Sequence, residues 1–306
     1  MLEVSMAEDK PPHDSDRAGS PPTDRVIAIV ELMAGRSDPI SIKEIAAILE
    51  LSRSTTTLIM TSLERAGWVA RRADRRYVLG SGLIGVTDAI RHAFPALADE
   101  RVLDELAERA GCGVALALIG ATEATFVGIA RLASDVPTAV RVGTRLPLRA
   151  PMGTAVLAHR STAQQRAWLA TAPAETRASL EAALAQARET GVVVYELGHT
   201  DPLVLSLIGE VVGLLSERPR RDALGTRALE LLGELGGPPY ESSALDSDEP
   251  LSVSYLSAPV FDRGNRAVYD LQLGPLQPRV GKAERDRLIA EVKQAAAELG
   301  YAGGAP

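Results

Sequence analysis

Six consecutive residues hold the densest polar chemistry in the chain: Ser52, Arg53, Ser54, Thr55, Thr56 and Thr57. Together they offer five hydroxyls and one guanidinium, groups that donate to phosphate oxygens and to base edges. Arg53 is the residue suited to bidentate reading of guanine. Ser54 to Thr57 are poor helix formers, so their clustering serves recognition better than folding. A second set follows at Arg71, Arg72, Arg75 and Arg76. Arginines so placed neutralise phosphates or enter a minor groove, with salt-dependent and weakly sequence-specific contacts. Catalytic chemistry has no comparable cluster. His13, His92, His159 and His199 are scattered without metal-ligand spacing. His199 and Asp201 could form an acid–base pair, but neither a nucleophile elbow nor a phosphate-binding glycine loop accompanies them. Cys112, the only cysteine, precludes an internal disulfide and reads as a small buried hydrophobe. We therefore expect no enzyme, no cofactor and no metal.

The elements that must position those residues can be read around them. Ser41 opens a helix with a capping box to Glu44, and Ile40 and Ile45 form a hydrophobic staple. A turn at Glu50–Leu51 ends it, and Ser52 caps a second helix that carries the hydroxyl run at its start. That is a helix-turn-helix, whose second helix faces DNA; Ser41 joins the candidate DNA contacts at the first helix's N-terminus. Asp24–Ala34 supplies a preceding helix through Val26, Ile27, Ile29, Val30 and Met33, with Ile45, Leu49, Leu58 and Leu63 facing it across the core. Two extended runs, Trp68–Arg72 and Arg75–Leu79, joined at Ala73–Asp74, form a β-hairpin wing.

Charge is distributed in keeping with this. The net charge of -7 argues against a nucleic-acid binder, but Leu51–Gly80 carries six arginines against Glu64 and Asp74. A basic segment on an acidic body presents one face to DNA. Residues 1–22 are acidic and proline-bearing, and we expect a disordered leader there. No apolar run reaches the roughly 18–20 residues that a bilayer crossing requires, and no signal-peptide core precedes the motif. We expect no membrane association and a cytoplasmic location.

Beyond residue 80 the texture changes twice. Gly82–Ala93 reads as a linker helix, within a linker spanning 81–95. Ala96–Ala110 is an amphipathic helix. Strands follow at Cys112–Ile119, Ala124–Arg131 and Thr138–Val142. Helices come next at Met152–Arg160, Ala163–Thr171 and Ala174–Thr190, then a strand at Val192–Leu197. A hairpin Leu251–Phe261/Arg266–Leu273 and a terminal helix Gly281–Gly300 close the chain. That order predicts an α+β domain over 96–302 with an antiparallel sheet. Aromatics are only 4% of residues, so its core must be aliphatic.

The arrangement resembles the IclR-type bacterial transcriptional regulators. The resemblance is carried by "DRVIAIVELM", "ISIKEIAAILELSRSTTTLIMTSLERAGWV", the wing-closing "YVLG", "VGTRLPLRAPMGTAVLAH" (Val142–His159) and "LSAPVFDRGNRAVYDLQLGP" (Leu256–Pro275). It implies an N-terminal winged helix-turn-helix over 23–80, a linker helix, and a C-terminal GAF-like effector-binding domain. It also implies a double-stranded DNA operator, a small-molecule effector, and a homodimer or homotetramer, since two half-sites need two heads. The effector pocket would lie between the sheet and the loop Leu146–Thr154. Leu146, Met152, Gly153 and Thr154 would line it from the loop, with Tyr255, Ser257, Leu271 and Leu273 on the strands. Gly153 lets backbone approach a ligand, and the helix start after it offers N–H groups to an anion.

Three departures from the family pattern stand out. Gly153–Thr154–Ala155 replaces a Gly-Lys-Ala step, Leu58 stands where many relatives carry arginine, and residues 200–250 form an atypical helical insertion. Leu271 and Leu273 occupy positions where relatives often have hydroxyls, so the expected effector is an apolar or aromatic organic acid. Two alternatives compete: a second domain that only oligomerises around a degenerate pocket, and a regulator head fused to a catalytic domain. Operator sequence, effector identity and the sign of regulation are not encoded legibly.

Overall fold

A computed structural model describes residues 20–36, 38–93, 100–132, 141–197 and 236–302. The chain divides into two compact units between Gly82 and Leu83.

The first unit begins with α1 (Pro21–Ala34), α2 (Ile42–Ile48) and α3 (Arg53–Arg65), followed by the wing strands β1 (Val69–Arg71) and β2 (Tyr77–Leu79). The Ser41 capping box forms as expected: Ser41 Oγ accepts from the Glu44 N–H at 3.3 Å, and Glu44 Oε2 accepts from the Ser41 N–H at 2.8 Å. Ile29, Leu32, Met33, Ile40, Ile45, Met60, Leu63, Val69 and Tyr77 make the core. Ile40 pairs with Tyr77 through both backbone hydrogen bonds, which ties the approach to α2 onto the wing.

Two core expectations are corrected here. Ile27 is 48% exposed, and Leu58 is 71% exposed. Met60 and Leu63 set the inward phase of α3, and that phase turns Leu58 out to solvent while turning Thr56 in.

Gly80 sits where the wing returns against the end of α3. A Cβ there would lie 2.2 Å from the Gly67 carbonyl oxygen, a backbone atom that cannot step aside. Gly80→Ala should therefore destabilise this unit by about 1–3 kcal/mol, read as an earlier unfolding transition of Trp68 fluorescence.

The second unit starts with α4 (Ile84–Ala93), on which Ile84, Val86 and Ile90 are exposed. Then come α5 (Glu100–Ala110), β3 (Gly113–Ile119), β4 (Glu123–Ala130), β5 (Arg145–Pro147), α6 (Thr154–Leu157), α7 (Thr162–Leu169), α8 (Arg177–Thr190) and β6 (Val193–Leu197). It closes with β7 (Gly236–Pro239), α9 (Ser242–Asp246), β8 (Leu251–Phe261), β9 (Ala267–Gly274), β10 (Gln277–Val280) and α10 (Lys282–Ala302). The strands form one antiparallel sheet, ordered β5-β4-β3-β9-β8-β6-β7, with β10 also paired to β8. One face packs on α5 and α10 through Val102, Leu106, Leu271, Leu273, Leu288 and Val292. The other packs on α6, α7 and α8 through Phe126, Leu146, Leu157, Trp168, Leu184 and Tyr195. The expected α+β class with an antiparallel sheet is the one found.

Some elements shift. Among the described residues the third strand lies at Arg145–Pro147, just after the left-handed turn at Gly143 (φ +89°), and residues 138–140 of the strand expected at Thr138–Val142 lie outside the described residues. The helix expected over Met152–Arg160 is only the single turn of α6. Of the expected insertion, residues 200–235 lie outside the described residues, as do residues 1–19 of the expected leader and the pair His199 and Asp201, while the leader's last two residues, Pro21 and Pro22, instead start α1, where proline suits the first helical turn. The insertion's last part is strand β7, paired to β6, and the short α9. Among the described residues no helix is long and apolar enough to cross a membrane.

Candidate functional site

The hydroxyl run divides by helical phase. Ser52 Oγ caps α3 by accepting from the Thr55 N–H at 3.0 Å and also donates to Thr55 Oγ1. Thr56 is fully buried and its hydroxyl donates to the Ser52 carbonyl, so it is withdrawn from the DNA-facing set. Thr57 is exposed, although its hydroxyl also donates to a helix carbonyl, that of Arg53. The solvent face of α3 is then Arg53, Ser54, Thr57, Leu58 and Thr61. Five hydroxyls in a helix are tolerated because most are satisfied along the helix itself.

The wing arginines also differ from one another. Arg76 donates to the Pro39 carbonyl at 2.9 Å and pairs with Glu44 at 3.3 Å, so it braces the start of α2. The Ser41 hydrogen bonds, and then Arg76, hold the Glu44 carboxyl below its usual range. Arg71 lies over the Tyr77 ring at 5.9 Å. Arg72 and Arg75 are exposed at the hairpin tip, where Arg75 takes a left-handed conformation (φ +64°).

In the second unit, the loop-covered face of the sheet is organised by carbonyl clamps. Thr154 Oγ1 donates to the Pro151 carbonyl at 2.6 Å, and the Tyr195 hydroxyl donates to the same oxygen at 3.1 Å. Trp168 Nε1 donates to the Met152 carbonyl at 2.9 Å. Gly153 has φ +80°, a conformation that a side chain would resist, and packs against Leu148 and Leu157. Tyr195 and Tyr255 stack with centroids 4.1 Å apart. Leu146, Met152, Gly153, Thr154 and Tyr255 are thus brought to this face. The N–H groups of Thr154 and Val156 already donate to the carbonyls of Pro151 and Gly153, so two of the donors at the helix start expected to take an anion are engaged.

Leu271 and Leu273 are not on this face. They pair with Leu116 and Ala258, and with Val114 and Leu256, and lie in the core under α5 and α10. Strand alternation instead turns Asp270 and Gln272 toward the loop, opposite Pro259 and Ser257. Asp270 is fully buried, and burial pushes its pKa up to about 6. Gln272 Nε2 donates to Asp270 Oδ2 at 2.9 Å, while Oδ1 has no partner at hydrogen-bonding geometry. The buried Ser257 Oγ, close enough to act on Asp270, has none either. Burial, and then Asp270, push the Tyr195 hydroxyl well above its ordinary pKa.

Sequence reasoning missed Asp270, Gln272 and Tyr195. The legible signal was an acid inside the apolar strand "VYDLQL", since an unpaired carboxylate is rarely buried without a use. His159 is half-buried, and burial, then Arg188, push its pKa below the usual imidazole value. Among the described residues no group of three or more His, Cys, Asp or Glu is arranged to hold a metal.

With this geometry in place, residues 22–73 match the model of the IclR helix-turn-helix domain. The N-terminal unit is an IclR helix-turn-helix domain. No curated protein matches it in sequence. The fold extends the likeness over both units. The crystal structure of an IclR transcriptional regulator from Alicyclobacillus acidocaldarius superposes with a TM-score of 0.57 at 18% identity, covering 94% of this chain and all of that one. Thermotoga maritima IclR gives 0.53 at 17%, over 92% and 98%. An IclR homologue from Microbacterium hydrocarbonoxydans, solved in complex with 4-hydroxybenzoate, gives 0.56 at 17%, over 92% and 98%. At these identities the IclR structures speak for the fold of the second unit alone.

Proposed function

We propose that this chain reads specific operators through α3 and that a small organic effector, bound on the loop-covered face of the sheet, controls it. The observation that carries the DNA half is the exposed face of α3, which stands opposite the core formed by Thr56, Met60 and Leu63. Arg53 is the guanine reader, and Leu58 with the Thr57 methyl fits a thymine methyl. Arg72 and Arg75 reach phosphates. Replacing both by alanine should weaken binding similarly on all sequences and reduce the salt-dependence slope by about 2. Arg76→Ala should act instead by loosening α2. A titration across salt concentrations separates the two, and an unchanged slope in the double variant would remove the wing from the interface.

Leu58→Arg should raise affinity for unrelated DNA and narrow the gap to the operator, because it trades a methyl contact for a phosphate or guanine contact. The ratio of the two affinities is the measurement.

The effector half rests on the unsatisfied polar atoms of Asp270 and Ser257 beside the stacked tyrosines. The leucines that motivated a wholly apolar ligand face the other way, so the favoured class becomes an aromatic molecule with a hydroxyl that donates to Asp270. The 4-hydroxybenzoate complex of the Microbacterium homologue makes hydroxybenzoates the first probes. Control is a population shift: the effector binds one arrangement of paired heads more tightly than another, in a homodimer or homotetramer in the cytoplasm. The exposed Ile84, Val86 and Ile90 on α4 also favour a reading in which the second unit only oligomerises.

One experiment addresses both halves. Chromosomal sites occupied by the protein are mapped, and binding to a recovered fragment is measured with and without hydroxybenzoates. Absence of sequence-specific sites would sink the DNA reading. Specific sites with no response in binding or melting temperature would leave the oligomerisation reading.

A further inference from the structure

The exposed hydroxyls of α3 are turned back onto the helix. Thr57 Oγ1 donates to the Arg53 carbonyl at 2.7 Å, Thr61 Oγ1 to the Thr57 carbonyl at 2.9 Å, and Ser62 Oγ to the Leu58 carbonyl at 3.1 Å. At the helix start, Ser52 donates to Thr55 and pairs with Ser54 at 2.9 Å. A threonine whose hydroxyl is tied to its own helix has its methyl left for outward contact. Thr57 and Thr61 stand four residues apart, Leu58 and Thr61 three, so these exposed side chains form one surface patch. Leu58 is the most exposed large apolar side chain among the described residues. Cations bracket the patch: Arg53 and Arg65 at the two ends of α3, with Arg72 and Arg75 exposed on the wing. A helix with phosphate-seeking ends thus carries a centre that offers carbon.

We infer that the centre of α3 reads pyrimidine 5-methyl groups, and that a methyl on cytosine serves it as well as the methyl of thymine. The thymine methyl is the apolar feature that base pairs present in the major groove. In 5-methylcytosine the same group stands on the same ring carbon. Leu58 and Thr61 become specificity residues beside Arg53, and operator affinity becomes sensitive to cytosine methylation. The inference rests on the DNA reading proposed above and adds to it the chemical group that is read.

To test this, duplexes that bind the full chain are selected from a random-sequence library. Each thymine of the enriched site is then exchanged singly for uracil, which lacks only the methyl. Affinity should fall about three- to fivefold at one or more positions. Leu58→Ala and Thr61→Ser should each erase the thymine–uracil difference at such a position. Thr61→Val keeps the branched shape without the hydroxyl and should bind as the unmodified protein does. These substitutions fall at exposed positions and spare the core. Where a contacted position is rebuilt as C·G, methylating that cytosine at C5 should raise affinity by about the same three- to fivefold. Uracil or cytosine methylation without effect, a thymine–uracil difference that survives both Leu58→Ala and Thr61→Ser, or a greater loss from Thr61→Val than from Thr61→Ser would each overturn the inference. Failure to enrich any sequence would remove the DNA reading and this inference together, whereas an enriched site indifferent to uracil removes this one alone.

Discussion

Replacing Arg285 by alanine is expected to cost the second unit about 3 kcal/mol or more in stability. Arg285 stands in the first turn of α10 and is only 1% exposed, yet among the described residues no carboxylate pairs with it. Its guanidinium donates instead to four backbone carbonyls, those of Leu245, Ser247, Glu249 and Val280. Two of these, Ser247 and Glu249, belong to the turn that connects α9 to β8, and Leu245 lies at the end of α9 itself; the turn is a polar stretch with almost no apolar side chains of its own to hold it down. The arginine thus does for this turn what a hydrophobic anchor does elsewhere. Removing it strands buried acceptors without returning them to water, which is the costly way to lose a hydrogen bond. Lysine keeps the charge but cannot present a planar fork to several carbonyls, so Arg285→Lys should recover only part of the loss. Denaturant unfolding followed through Trp168 isolates the second unit from the first. An unchanged midpoint for the alanine variant would mean that the turn relaxes into solvent at little cost.

Much of the fold was legible because local signals agreed with the tertiary outcome. Ser41 and Glu44 formed their reciprocal cap, Ser52 capped α3, and the hairpin at Leu251–Phe261 begins and ends where its composition changes. Errors cluster where residue type and residue phase disagree. Thr56 looks like a DNA contact by type, but it lies four residues before Met60 and seven before Leu63, on the buried stripe. Leu58 looks like core by type, and the same stripe excludes it. The second unit repeats the problem with period two. Leu271 and Leu273 were assigned to the pocket by motif position, yet a strand offers each face only every other residue, and theirs is the face under α5 and α10. Phase depends on which neighbours cover the element, and a lone segment does not say. The loop and strands expected to form one face do pack together, but the polar anchor of that face, Asp270, is one residue out of step with the leucines that motif position singled out.

That anchor carries the second large effect. Asp270→Asn is expected to stabilise the protein at neutral pH by about 3 kcal/mol, the free energy equivalent of raising a carboxyl from 3.8 to about 6. The sign follows from proton counting. Below about pH 4 the carboxyl is protonated whether the chain is folded or not, and it does not discriminate between the states. Between about 4 and 6 the unfolded chain releases the proton while the folded chain keeps it, so stability falls as pH rises. Above about 6 the penalty is complete. Glu44, Asp262 and Glu284 are shifted downward and contribute in the opposite sense at acid pH. The informative quantity is therefore the difference between Asp270→Asn and the unmodified protein, measured by unfolding at several pH values. It should be near zero below pH 4 and level off above pH 6. A flat difference would show that Asp270 ionises as freely in the folded chain as in the unfolded one. A protein that retains such a penalty at neutral pH gains from any ligand able to donate a hydrogen bond to the carboxylate. A hydroxylated effector should therefore stabilise the unmodified protein more than Asp270→Asn, and by a margin that grows as pH rises through 6. That coupling between proton and ligand distinguishes an effector site from a buried acid tolerated for other reasons.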